Sequence, residues 1–173
     1  MYTLRPDETT TPVMLYTQHS LVRGEVVTKQ NALRINIWLR TDGVPRYLHI
    51  LNPQVLVFGG SPVKAVSYSR IYFPTSEVIG FHTLPPVEEP LDYDPDEPNR
   101  MMEPVEVLLG TFVMKGKIRI STQTEVDTTL EMARVSWLSF YEVWISNPYL
   151  PQMPALHVPM MLVNPNHVAF GFP

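Results

Sequence analysis

The chain has 173 residues and a formal net charge of −4, with 45% hydrophobic residues, 17% charged residues and no cysteine. The lack of cysteine excludes a disulfide framework, a thiolate nucleophile, an iron–sulfur cluster and a thiolate-held zinc. Proline occurs 18 times, roughly twice the average usage of about 5%. Because it fixes φ and lacks an N–H, this predicts many short strands joined by stiff loops.

The opening Met1-Tyr-Thr-Leu-Arg-Pro-Asp-Glu8 has no basic start leading into an apolar run, and no later stretch is apolar for the length of a membrane span. The expected location is therefore cytoplasmic, without membrane contact. The first predicted strands lie in Val13 to Val26. Ile35, Ile37 and Leu39 then alternate with Arg34, Asn36, Trp38 and Arg40, the period of a half-buried strand with the three aliphatic side chains inward. In that register Arg34, Trp38 and Arg40 share one outward face, and they are the candidate interaction surface. Tyr47 to Leu51 is a further strand, and Gly59-Gly60-Ser61-Pro62 reads as a hairpin turn.

Residues 84–104 hold six prolines and seven acids against Arg100 alone, a composition that predicts an extended linker. Residues 1–83 carry eight basic and five acidic side chains. The linker is therefore expected to lie along a basic surface, with Arg34, Arg40 and Arg46 as contacts and Val87, Leu91 and Tyr93 buried. Beyond it, Ile118 and Ile120 alternate with Lys117, Arg119 and Ser121 as a strand, again with the isoleucines inward. A short helix is predicted over Glu125 to Arg134, with Val126, Thr129, Leu130 and Ala133 on one face. Phe140 to Ile145 is a strand, and Asn147-Pro148 and Asn164-Pro165-Asn166 are turns.

The two flanks of the acidic segment match. Val13 to Val26 aligns with Val105 to Ile118 at a constant offset of 92, and Val22-Arg23-Gly24-Glu25-Val26 corresponds to Met114-Lys115-Gly116-Lys117-Ile118. Tyr47 to Pro53 parallels Phe140 to Trp144, with Asn147-Pro148 closing it, and Glu77 to Phe81 parallels His167 to Gly171. Three matches in one order point to internal duplication. The expected fold is all-β, two tandem small β-barrel domains: residues 1–83, an acidic linker 84–104, and residues 105–173.

The order of Val-x-Gly-x-Val, an aromatic strand and Leu162-Val163-Asn164-Pro165-Asn166-His167-Val168 resembles an uncharacterised bacterial family of small β domains, often in tandem. The first copy departs at its end, where Phe73 to Glu77 lacks the Asn and His. The resemblance implies no catalytic activity and carries over no functional residue.

Catalytic motifs are lacking. There is no Gly-x-Ser-x-Gly elbow, Walker loop or Gly-x-Gly-x-x-Gly. The five histidines, 19, 49, 82, 157 and 167, show no metal-ligand spacing. Asp92, Asp94, Asp96 and Glu103 occupy positions 1, 3, 5 and 12 of a calcium loop, but Glu97 replaces the turn glycine and Pro95 and Pro98 stiffen the segment, so a solvated acidic stretch is expected. No catalytic, cofactor-binding or metal residue is assigned. The reading is a non-enzymatic structural or assembly protein that forms a homo-oligomer through its β domains. The alternative is a small-barrel nucleic-acid binder, not favoured by a pI near 5.7. An enzyme ranks last.

Overall fold

The computed structural model describes residues 2–30, 35, 40, 44–85, 87, 90–132 and 135–172. The chain divides into two compact units, Met1–Glu88 and Glu89–Pro173. No helix among the described residues is long and apolar enough to cross a membrane.

Unit 1 contains β1 (Glu8–Tyr16), β2 (Ser20–Lys29), β3 (Tyr47–Val57), β4 (Lys64–Ser67), β5 (Arg70–Pro74), a 3-10 turn (Thr75–Glu77) and β6 (Gly80–Thr83). Its antiparallel neighbours run β6-β1-β2-β3. Both β4 and β5 then pair with β3, β4 along Gln54–Val57 and β5 along Tyr47–Leu51. Unit 2 contains β7 (Arg100–Leu109), β8 (Phe112–Ser121), α1 (Val126–Met132), β9 (Leu138–Ser146), β10 (Leu156–Val163), a 3-10 turn (Pro165–His167) and β11 (Ala169–Gly171). Its order is β11-β7-β8-β9-β10. Each unit therefore repeats one plan: a three-strand meander, further pairing on the far side (β4 and β5 in unit 1, β10 in unit 2), a 3-10 turn, and a last short strand returned to the first.

Equivalent positions carry the cores. Val13, Leu15, Val22 and Val26 are buried in unit 1, and 92 residues later so are Val105, Val107, Met114 and Ile118. The expectation that Ile118 and Ile120 point inward holds. Gly24 and Gly116 each sit at a register shift, of β2 against β3 and of β8 against β9. A Cβ at Gly24 would lie 2.5 Å from Ile50 Cγ2, and one at Gly116 2.8 Å from the Tyr141 carbonyl oxygen. Only glycine allows these approaches. Across each bulge a non-glycine residue takes positive φ, Asn52 at 48° and Glu142 at 50°. The bulges thus equate Leu51-Asn52 with Tyr141-Glu142, and Ile50 with Phe140, which replaces the strand alignment expected from sequence. Likewise Phe81, opposite Leu15, corresponds to Phe170, opposite Val107, and not to Gly171.

Other expectations are corrected. Ile35 is buried but helical, so the strand predicted over 34–40 does not hold there. Ile37 and Leu39 lie outside the described residues, and burial of Ile35 alone is satisfied in either conformation. Among the described residues no pairing closes either sheet into a barrel. β5 ends at Pro74, which has no N–H to donate, and the 3-10 turns send the chain back to β1 and β7 instead. The acidic linker expected through Pro104 gives way to strand at Arg100. Pro104 is tolerated because β11 pairs only Glu106–Leu108, which leaves that flank of β7 without a partner on the β11 side; Pro12 stands just outside the β6 pairing of β1 in the same way. The predicted helix appears as Val126–Met132, with Val126, Thr129 and Leu130 as its less exposed side; Ala133 and Arg134 lie outside the described residues.

Candidate interaction surfaces

Of the sequence-derived surface, Arg34 and Trp38 lie outside the described residues, and Arg40 is an exposed turn residue. The shared strand face proposed for Arg34, Trp38 and Arg40 is therefore not among the described structure. A different aromatic face is.

On β3, Leu48 and Ile50 point into the core, so Tyr47 and His49 point out. Tyr72 of β5 pairs with His49, and their rings stack at 4.7 Å and 14°. Tyr2 also meets His49, edge-on at 4.6 Å. Arg46 lies 5.8 Å from the centre of the Tyr47 ring. Burial, and then the nearby charge of Arg70, lower the pKa of His49, while Glu8 acts the other way. Among the described residues His49 Nε2 is enclosed without a hydrogen-bond partner. Beside it a cleft of about 240 Å³ is bordered by Glu8, Lys29, Pro45, Tyr47 and His49. Lys29 is held by Asp7, whose carboxyl that hydrogen bond keeps below the usual range.

Sequence reasoning passed over this face, although a signal was present. Between Gly43 and Ser76 there is no Asp or Glu, and Arg46, Lys64 and Arg70 contribute +3. The rest of residues 1–83 is balanced at five basic and five acidic. The whole excess of positive charge in the first half therefore sits in the β3–β5 segment.

In unit 2 the acidic segment packs on its own unit. Asp92 accepts hydrogen bonds from Ser139 Oγ and, at 2.7 Å, from Tyr141 OH. Tyr93 packs edge-on against Tyr141 at 4.9 Å and lies beneath the Arg119 guanidinium at 4.6 Å. Arg119 also donates to Glu97 and to the Asp94 carbonyl, and Arg100 and Arg119 hold Glu97 below the usual carboxylate range. The described ion pairs of the segment are with Arg100 and Arg119; of the expected contacts, Arg34 lies outside the described residues. Tyr93 and Val87 are half-buried and Leu91 is exposed, which corrects the expectation that all three are buried. The calcium-loop spacing is not assembled: Asp92 faces Ser139 and Tyr141, Asp94 accepts from Asp96 N, and Glu103 is a strand residue opposite Ile118.

This segment is the counterpart of the N-terminus. Gln30 N bonds to Asp7 O, and 92 residues later Thr122 N bonds to Asn99 O. Pro6-Asp7-Glu8 and Pro98-Asn99-Arg100 coincide at the same offset of 92. Each unit thus begins with an arm that lays a tyrosine, Tyr2 or Tyr93, over the outer face of its own sheet.

A second buried feature lies in unit 1. Tyr16 OH and His82 Nε2 are 3.1 Å apart, and His82 Nδ1 is 2.9 Å from the Thr83 carbonyl. The carbonyl can only accept, so Nδ1 carries the proton and Nε2 accepts from the phenol. Burial pushes His82 down to about 4 and Tyr16 up.

Among the described residues β4 and β11 pair on one side only, and all four residues of β4 are exposed. No protein-family model matches the chain, and no curated protein or solved structure matches it either.

Proposed function

We propose that the chain is a non-enzymatic assembly protein, two tandem copies of one small barrel-like β domain that arose by duplication and that self-associate through sheet edges into a homo-oligomer. The observation that supports this reading is the β4 edge: Lys64–Ser67 pairs with β3 on one side, is exposed throughout, and is followed by exposed Tyr68. A strand with a free edge presents unpaired N–H and C=O groups in register, which is a template for another strand. β11 offers a second, shorter edge of three residues. Duplication is supported by the common strand plan, the paired bulge glycines and the repeated arms.

Light scattering coupled to size-exclusion chromatography tests it. A discrete oligomer is expected. Ala65→Pro and Val66→Pro remove neighbouring N–H groups, of which alternation points one toward β3 and the other outward. The substitution at the outward position should release monomers with the unit still folded by circular dichroism. A wild-type chain that stays monomeric at every concentration tested refutes the assembly reading.

A further inference from the structure

We infer that the outer face of β3 and β5 in unit 1 binds single-stranded nucleic acid. The inference is independent of the assembly reading, because it uses the sheet's face and not its edge. Tyr47 and Tyr72 expose 46% and 56% of their surface, and Tyr72 already stacks on His49. Cross-strand rings held flat and open to solvent are a platform on which bases stack without regard to sequence.

Charge selects the same occupant. Arg46 borders Tyr47, and the charge of Arg70 reaches His49. The stretch from Gly43 to Ser76 that supplies them contains no carboxylate. A ligand carrying both planar groups and regular negative charge fits; an acidic peptide meets the charge but leaves the rings without stacking partners. A duplex keeps its base faces covered and offers only the backbone.

The arms show that this face accepts a ring. Tyr2 lies against His49 in unit 1, and Tyr93 lies between Arg119 and Tyr141 in unit 2. In unit 2 the ring arrives with Asp92, Asp94 and Glu97, three carboxylates that would repel a polyanion, whereas in unit 1 Asp7 is neutralised by Lys29 and Glu8 is the one acid bordering the cleft. In unit 1 the ring is tethered by one side-chain hydrogen bond, Tyr2 OH to Glu8 at 2.8 Å. A base replacing Tyr2 would also bring hydrogen-bonding groups to His49 Nε2, which has no partner among the described residues.

The test is fluorescence anisotropy of labelled oligouridine and oligothymidine with the full chain at low salt. Both single strands should bind, with a salt slope near −1.4, about 0.7 for each of the two arginines. Tyr72→Ala and Tyr47→Ala should each weaken binding roughly five-fold or more, the lower end of the stacking effect. Arg46→Glu should abolish binding, and Trp144→Ala, an exposed ring of unit 2, should leave it unchanged. Circular dichroism checks that each variant is folded; should either tyrosine variant fail, the Arg46 and Trp144 pair decides. No binding at low salt, binding unmoved by Arg46→Glu, or equal affinity for duplex or for an acidic peptide overturns the inference.

Discussion

Acidification should destabilise unit 1 ahead of any general acid denaturation, through His82. In the folded chain the imidazole is neutral, with Nδ1–H donated to Thr83 O and Nε2 accepting from Tyr16 OH. A proton on Nε2 would turn that acceptor into a donor facing a phenol in a buried site. The folded pKa is about 4, against roughly 6.5 in the unfolded chain. Because the folded value is the lower one, the unfolded chain takes up the proton first as pH falls. Stability is therefore full above about 6.5, declines between about 6.5 and 4, and loses no more from this group below that. A difference of about 2.5 units corresponds to on the order of 3 kcal/mol, a large share of the roughly 5–15 kcal/mol typical of a domain. The exposed carboxylates Asp7, Glu8 and Glu97 are also lowered, so their contribution is lost at more acid pH, below the usual carboxylate range. Urea unfolding read by hydrogen exchange at β1 and β6 amides, at about pH 7 and about pH 5, measures the His82 effect. The double variant Tyr16→Phe, His82→Leu removes both polar groups and should be nearly flat over that interval. If its pH dependence equals that of the wild type, or if His82 titrates near 6.5 by NMR, the reasoning is wrong.

Gly116→Ala should cost about 1–3 kcal/mol and more than Gly24→Ala. At Gly116 the new methyl meets a backbone carbonyl at 2.8 Å and the Phe140 ring, whereas at Gly24 the backbone atoms lie at 3.1 Å or more and the closest approach is to the Ile50 side chain; thermal unfolding of both variants checks the order. Ile118→Ala should cost about 2–5 kcal/mol, since the side chain is fully buried, and a loss well under that in chemical denaturation would mean the site is not core. Arg119→Ala should speed hydrogen exchange over residues 92–97 more than high salt does. Salt screens the exposed Glu97 pair, but the substitution also removes the contact with Tyr93 and the bond to Asp94 O. Equal exchange in variant and wild type would refute the docked arm.

Much of the β architecture is local and was legible. Alternation places Ile118 and Ile120 inward, and the offset of 92 pairs Gly24 with Gly116 in the sequence alone. The same offset also aligns Pro6 with Pro98 and Pro12 with Pro104, so the repeat extends through the segment that composition alone marks as linker. Proline content speaks to backbone stiffness, and it cannot distinguish a free tether from an arm whose carboxylates meet Ser139, Tyr141 and Arg119. Those partners are 22 to 49 residues away. The bulges had a subtler effect. One extra residue changes which side chains face inward, so Leu48 and Ile50 are followed by Leu51 and Val55 in the core, and an alignment by residue type misplaced β9 against β3. The stack of His49 on Tyr72 and the Tyr16–His82 pair, 66 residues apart, exist only once antiparallel register brings distant strands together. Sequence fixes which residues alternate; pairing and burial decide which of them meet, and with that the charge state of His82 and the open face of β3 and β5.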